Sequence, residues 1–187
     1  MINSQKKTAV EKACEILKSG GVIVYPTDTL YGFGCDAINN EPIKKINTLK
    51  NRIAPMSVMV NSKKIIKPWL NVKNSLKGEI VDMLDGGTTI IVPIKFNIVS
   101  NLICGSNNSL GIRIPIHPFC ERLTRLYPNP ITTTSVNRTK SPPMIDPLKI
   151  YKEFSKDVDL IIEDGIINGK GSAINLYKSD NTWEKIR

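Results

Sequence analysis

The sequence predicts an α/β protein with a twisted, mixed sheet flanked by helices, and three observations predict it. Segments with apolar residues at helical spacing alternate with short runs of β-branched residues. Several intervals between those runs are too short for helical crossovers, so the strands do not all run parallel. The apolar run Val22-Ile23-Val24 leads straight into Tyr25-Pro26-Thr27-Asp28-Thr29-Leu30-Tyr31-Gly32-Phe33-Gly34-Cys35-Asp36. A polar loop leaving the end of a buried strand is where α/β proteins place binding groups on a rigid base.

Each element has a local cause. Residues 7–18 put Val10, Ala13, Cys14 and Leu17 at helical spacing, and Gly20-Gly21 stops that helix. Residues 22–25 follow as a buried strand, and Pro26, with no N–H to donate, ends its pairing. Asn40 is the expected cap of a second helix, with Pro42 in its first turn and Ile43, Ile46 and Leu49 on one face. That helix delivers Lys50 and Arg52 near its C-terminal end. Residues 57–60 form a short strand, and 61–87 are expected to be helical around 76–84. Strands are expected at 89–92 and 111–114, separated by an Asn/Ser/Gly loop at 104–109. A helix at 118–126 precedes a strand at 131–134, which runs into Ser135-Val136-Asn137. After the loop Lys140-Ser141-Pro142-Pro143, Asp146 caps and Pro147 opens another helix. Residues 160–162, 173–176 and 183–186 are closing strands, and no internal repeat, linker or low-complexity tract interrupts the series.

The length of 187 residues suits one domain with a real core, taken as 1–187. No apolar run approaches the ~20 residues of a membrane span. The N-terminus does not lead into an apolar signal core, so a cytoplasmic protein without a membrane partner is expected. The 4 cysteines lack metal-ligand spacing and His117 is the only histidine, which argues against a Cys/His zinc site, and no protein ligand for a metal is identifiable. His117, set in Ile114-Pro115-Ile116-His117-Pro118, reads as structural. The formal charge of +9 favours anionic partners such as nucleotides or RNA without choosing between them. Part of it also fits a Lys-, Asn- and Ile-rich genomic composition.

Lys50-Asn51-Arg52 places two cations where they can grip phosphate oxygens, arginine by its planar fork and lysine as a point charge. There is no Walker-type phosphate loop and no dinucleotide-binding glycine fingerprint. Ser135-x-Asn137 lies just beyond a Thr-rich strand end and offers uncharged donors and acceptors to a small polar ligand. Each signal alone is weak.

Together they are specific. The segment from Gly20 to Asp36, then Lys50-x-Arg52, Gly111-Ile112-Arg113-Ile114-Pro115-x-His117-Pro118 and Ser135-x-Asn137 occur in one family's order and spacing. From about residue 8 to Arg187 the chain resembles the YrdC-like L-threonylcarbamoyladenylate synthases, in their short single-domain form. The resemblance implies a YrdC-like twisted sheet around a large, positively charged cavity. It also implies a nucleotidyltransferase that makes threonylcarbamoyl-AMP and pyrophosphate from L-threonine, bicarbonate or CO2, and ATP with Mg2+. Separate transfer proteins would then place the group on tRNA as t6A, and whether this chain itself contacts tRNA is left open.

Carried over by position, the catalytic set is Lys50, Arg52, Ser135 and Asn137. Thr29, Asn61, Arg113, Ser135 and Ser172 would line the threonine side, with Arg113 on the carboxylate. Lys50, Arg52, Ser109, Thr133, Asn137 and Arg187 would lie on the ATP side. The chain departs from the family at Ile53 and Met56, at Leu84-Asp85-Gly86-Gly87, at Pro142-Pro143 and at Ser172-Ala173. The rival expectation is a YciO-like or double-stranded-RNA-binding protein of the same fold. The retained Lys-x-Arg and Ser-x-Asn motifs argue against it, because shape-based RNA binding needs neither.

Overall fold

A computed structural model describes residues 1–51, 53–178 and 180–187. In chain order the strands are β1 (Ile2–Asn3), β2 (Ile23–Tyr25), β3 (Gly32–Gly34), β4 (Ser57–Met59), β5 (Thr88–Pro93), β6 (Ser109–Arg113), β7 (Ile131–Ser135), β8 (Leu160–Glu163), β9 (Ala173–Tyr177) and β10 (Trp183–Lys185). The helices are α1 (Lys7–Lys18), α2 (Asn40–Lys50), α3 (Lys63–Ile66), α4 (Lys77–Asp82), α5 (Pro118–Leu126) and α6 (Pro147–Phe154). The strands join in the order β1-β8-β2-β3-β7-β4-β6-β5-β9-β10. Parallel pairs (β1/β8, β2/β8, β4/β6, β5/β9) are mixed with antiparallel ones (β2/β3, β3/β7, β4/β7, β5/β6, β9/β10), as the short connections require.

Strand periodicity divides the core between two faces. Ile23 and Tyr25 pack with Met59, Ile131 and Ile162 beneath α1 and α5, through Ala13, Leu17, Phe119 and Leu123. Their neighbours Val22, Val24, Val58 and Ile161 point the other way, against Ile43 and Ile46 of α2 and Ile150 and Phe154 of α6. Helices α2, α5 and α6 are pinned at their starts by polar side chains. Asp146 accepts from the Leu148 N–H, with Pro147 in the first turn of α6. His117 Nδ1 accepts from the Phe119 N–H at 3.2 Å while its Nε2 lies 3.1 Å from the Asp164 carboxylate, a structural role.

Four features differ from the sequence expectation. The long loop after β2 contains β3, antiparallel to β2 with Ile23 opposite Gly34 and Tyr25 opposite Gly32. Its glycines are poor strand formers in isolation, but the Tyr25 ring leaves no room for a side chain at Gly34, where a Cβ would lie 2.5 Å from a ring carbon. The cap of α2 is Asn39, whose side chain accepts from the Glu41 N–H, while Asn40 already belongs to the helix. Within 61–87, α4 falls where a helix around 76–84 is expected, but a further short helix, α3, and a 3-10 turn at Asn74–Leu76 precede it. The fourth is β1, a two-residue strand beside β8 too short to leave a sequence signature.

Candidate functional site

A cavity of about 550 Å³ opens over the sheet where β7, β4, β6, β5 and β9 lie side by side, within the ~300–1,000 Å³ usual for small-molecule sites. Strand alternation builds its floor. Ser109, Gly111 and Arg113 of β6 face the cavity, while Leu110 and Ile112 between them enter the core. In β5, Thr89 and Ile91 face the cavity while Ile90 and Val92 are core. Ser57 comes from β4 and Thr133 and Ser135 from β7. Gly111 is required by its neighbour, since a Cβ there would lie 2.3 Å from the Ser57 hydroxyl. The wall is therefore rich in hydroxyl groups, which can donate or accept as a ligand demands.

Two guanidinium groups supply charge. Arg113 is only 6% exposed. Its Nη1 donates to Thr29 Oγ1 at 3.1 Å, and its Nη2 donates to Asp28 Oδ1 at 2.5 Å and to the Gly86 carbonyl at 3.2 Å. Its Nε is buried and has no partner. Arg187 Nε donates to the Ser172 carbonyl at 2.9 Å, its Nη2 approaches Ser172 Oγ at 3.4 Å, and that hydroxyl is also 2.8 Å from Thr89 Oγ1. The loop carrying Thr29 is held by Thr27, whose hydroxyl accepts from the N–H groups of Thr29 and Leu30 and donates to the Leu30 carbonyl. Gly169 packs so closely on this loop that a Cβ would meet the Thr29 carbonyl at 2.1 Å.

Lys50, Ser135 and Asn137 form one knot at the rim. Lys50 is 2% exposed. Its ammonium donates to the Ser135 carbonyl at 2.5 Å, the Asn137 carbonyl at 3.2 Å and Asn137 Oδ1 at 2.6 Å. Ser135 Oγ donates to the same Oδ1 at 2.9 Å, and Asn137 Nδ2 donates to the Ser141 carbonyl at 2.6 Å. Ser135 reaches the cavity wall, and Lys50 and Asn137 stand one contact behind it. Arg52, expected in the catalytic set, lies outside the described residues.

The structure thus brings Thr29, Ser109, Arg113, Thr133, Ser135, Ser172 and Arg187 to one cavity. It does not bring Asn61 there. Asn61 lies beyond the end of β4 in a separate pocket of about 100 Å³, and its amide nitrogen donates to the Thr124 carbonyl at 2.9 Å. Ser172 and Arg187, expected on opposite substrate sides, touch each other. Asp28, Ser57 and Thr89 were missed as site residues. The alternation Thr89-Ile90-Ile91-Val92 was the available signal for Thr89. Nothing in sequence spacing pairs Asp28 with Arg113.

The cysteines are not poised as nucleophiles. Burial pushes the Cys35 thiol up to about 12, offset in part by its hydrogen bond with Thr132. Burial also raises Cys120 strongly, with the nearby Arg113 charge opposing the shift. Among the described residues, no cluster of three or more His, Cys, Asp or Glu side chains could hold a metal ion.

The fold is a mixed α/β sheet carrying a part-open, hydroxyl- and guanidinium-lined cavity of small-molecule size. The Sua5/YciO/YrdC family model, described as telomere recombination, matches residues 15–187, and the chain belongs to this family. It is 28% identical over 159 residues to a threonylcarbamoyl-AMP synthase of Photobacterium profundum, covering 82% of this chain and 85% of that protein. Its fold superposes on E. coli YciO with a TM-score of 0.87 at 24% identity, covering 100% of this chain and 91% of the other. It matches P. abyssi Sua5 complexed with L-threonine with a TM-score of 0.85 at 21% identity, covering 95% of this chain. The chain spans about half of that Sua5 protein, 53% of its length. At these identities the structural likenesses establish the fold. No helix among the described residues is long and apolar enough to cross a membrane.

Proposed function

We propose that this chain is an L-threonylcarbamoyladenylate synthase. It joins L-threonine, bicarbonate or CO2, and ATP into threonylcarbamoyl-AMP, releasing pyrophosphate, for t6A modification of tRNA by separate transfer proteins in the cytoplasm. The observation that carries the reading is the convergence of Thr29, Arg113, Ser135, Ser172 and Arg187 on one cavity, in a family whose curated relatives bear that enzyme name.

The chemistry follows from the wall. Threonine carbamate attacks the α-phosphorus of ATP, and negative charge builds on the phosphoryl and pyrophosphate oxygens. Fixed guanidinium and hydroxyl donors stabilise that charge without reorganising. The Arg113 corner, with Thr29 and its buried Nε, suits the amino-acid carboxylate. The Lys50–Ser135–Asn137 knot holds the end of β7 in place as the charge moves. Because the wall offers hydroxyls and guanidiniums, Mg2+ fits best as an ion carried on the phosphates, where it would neutralise them. No protein nucleophile is needed, in keeping with thiols held protonated. A free carbamate loses CO2 readily, so the reaction requires the site to close over it and exclude water.

The test is incubation of RNA-free protein with ATP, L-threonine, bicarbonate and Mg2+, with mass detection of the adenylate. Product should require all of the small-molecule substrates and the metal, and should not require RNA. Binding of tRNA or double-stranded RNA with no adenylate formed would assign the chain to the YciO-like alternative.

A further inference from the structure

The residue that organises the threonine corner is outside the cavity wall. Asp28 is absent from the lining, yet it contacts Arg113 of the wall and the neighbouring segments at Ile116 and Gly86. One carboxylate oxygen accepts from Arg113 Nη2 at 2.5 Å, and the other accepts from the Ile116 N–H at 3.1 Å. Gly86 packs against it so tightly that a Cβ there would lie 2.9 Å from Asp28 Oδ2. Both members of the ion pair are largely buried, with side chains 7% and 14% exposed for Arg113 and Asp28. A buried guanidinium without a partner is costly, so Asp28 is what permits Arg113 to sit in this wall at all.

The pairing also determines which donors remain. Nη2 is occupied by Asp28 and the Gly86 carbonyl, and Nη1 gives one hydrogen bond to Thr29. Nε and the second Nη1 hydrogen are left. A guanidinium free to rotate would present any edge to a carboxylate, whereas this one is locked in a single plane.

We propose that Asp28 is a positioning residue for amino-acid binding. By clamping Nη2 from behind, it orients Arg113 so that its remaining donors meet the threonine carboxylate. This rests on the synthase reading above for the identity of the ligand. A neutral or longer side chain cannot replace it: asparagine lacks the charge, and glutamate would be driven into Gly86 and Ile116.

Asp28→Asn tests the idea because it keeps shape and an acceptor oxygen. The KM and calorimetric Kd for L-threonine should rise roughly 10-fold or more, the loss expected for a charge-assisted contact. The KM for ATP should stay within about twofold. In an Arg113→Ala background the same substitution should have no further effect on the threonine Kd, because Asp28 acts through Arg113. Unchanged or tighter threonine binding, an equal rise for ATP, or an equal loss in the Arg113→Ala background would each overturn the proposal. Wild-type protein that binds threonine but makes no adenylate would overturn the synthase reading and leave the Asp28 comparison decisive. Wild-type protein that does not bind threonine overturns both.

Discussion

Lys50 shows how a short motif acquires meaning only from its partners. In the sequence, Lys50-x-Arg52 and Ser135-x-Asn137 are two weak signals 85 residues apart, and in the structure one ammonium bridges them. The residue is better described as holding Ser135 and Asn137 than as a free cation awaiting phosphate. Lys50→Met keeps the apolar stem and removes the ammonium's hydrogen bonds to the Ser135 and Asn137 carbonyls and to Asn137 Oδ1, which keeps only its bond from Ser135 Oγ. Turnover should fall by roughly 10- to 100-fold, more than ATP binding weakens, and thermal stability should drop by about 1–3 kcal/mol. Single-turnover kinetics beside a melting curve separates the two effects. Equal losses in turnover and ATP affinity would assign Lys50 to ground-state nucleotide binding. The same logic explains what sequence reading missed. Arg113 was legible as a site cation, but its partner Asp28 lies 85 positions away in another loop, and only the fold joins them. Asn61 was placed by analogy, yet its amide faces the Thr124 carbonyl.

At the scale of elements, strand period was the readable quantity. In the structure, alternation separates core from cavity in β5 and β6, whereas in β7 Thr133, Thr134 and Ser135 all line the cavity. The β3 segment reads as loop because its glycines resemble a turn, although Tyr31, Phe33 and Cys35 alternate into the core. Tertiary packing overrides that local preference: β3 fits between β2 and β7 because glycine makes room for the Tyr25 ring, whose hydroxyl donates to the Thr132 carbonyl at 3.0 Å. Gly34→Ala puts a methyl group 2.5 Å from that ring and 3.1 Å from Ile131. Neither neighbour can withdraw easily, since both are fully buried. The cost should be about 1–3 kcal/mol, measured by denaturant titration. Gly87, where an added Cβ meets nothing within 4 Å, is the control and should tolerate alanine with little loss.

For the whole molecule, the buried tyrosines connect fold stability to pH. Tyr31 lies next to the site loop, where its hydroxyl donates to the Gly165 carbonyl at 2.7 Å and accepts from the Asp164 N–H at 2.8 Å. Burial, which the Asp164 N–H partly offsets, pushes it up to about 12. Tyr25 is raised further by burial, and Tyr127 by burial and by its hydrogen bond to Asp36. A tyrosinate cannot donate, so ionisation breaks the bonds from Tyr31 to Gly165, Tyr25 to Thr132 and Tyr127 to Asp36. These bonds tie the site loop, the β7 strand and the α5–β7 turn to the rest of the sheet. In the unfolded chain the same phenols titrate near ~10. The stabilisation they provide is therefore complete below that pH and is lost as pH rises through the folded values. The melting temperature should hold steady from neutral pH to about 9 and then fall steeply. The tyrosinate absorbance of these side chains should appear together with unfolding. Tyr31→Phe removes one ionisation but also both hydrogen bonds, so it should lower stability at neutral pH and flatten the alkaline loss. A variant with the wild-type slope above pH 10 would show that Tyr31 does not contribute to the alkaline transition.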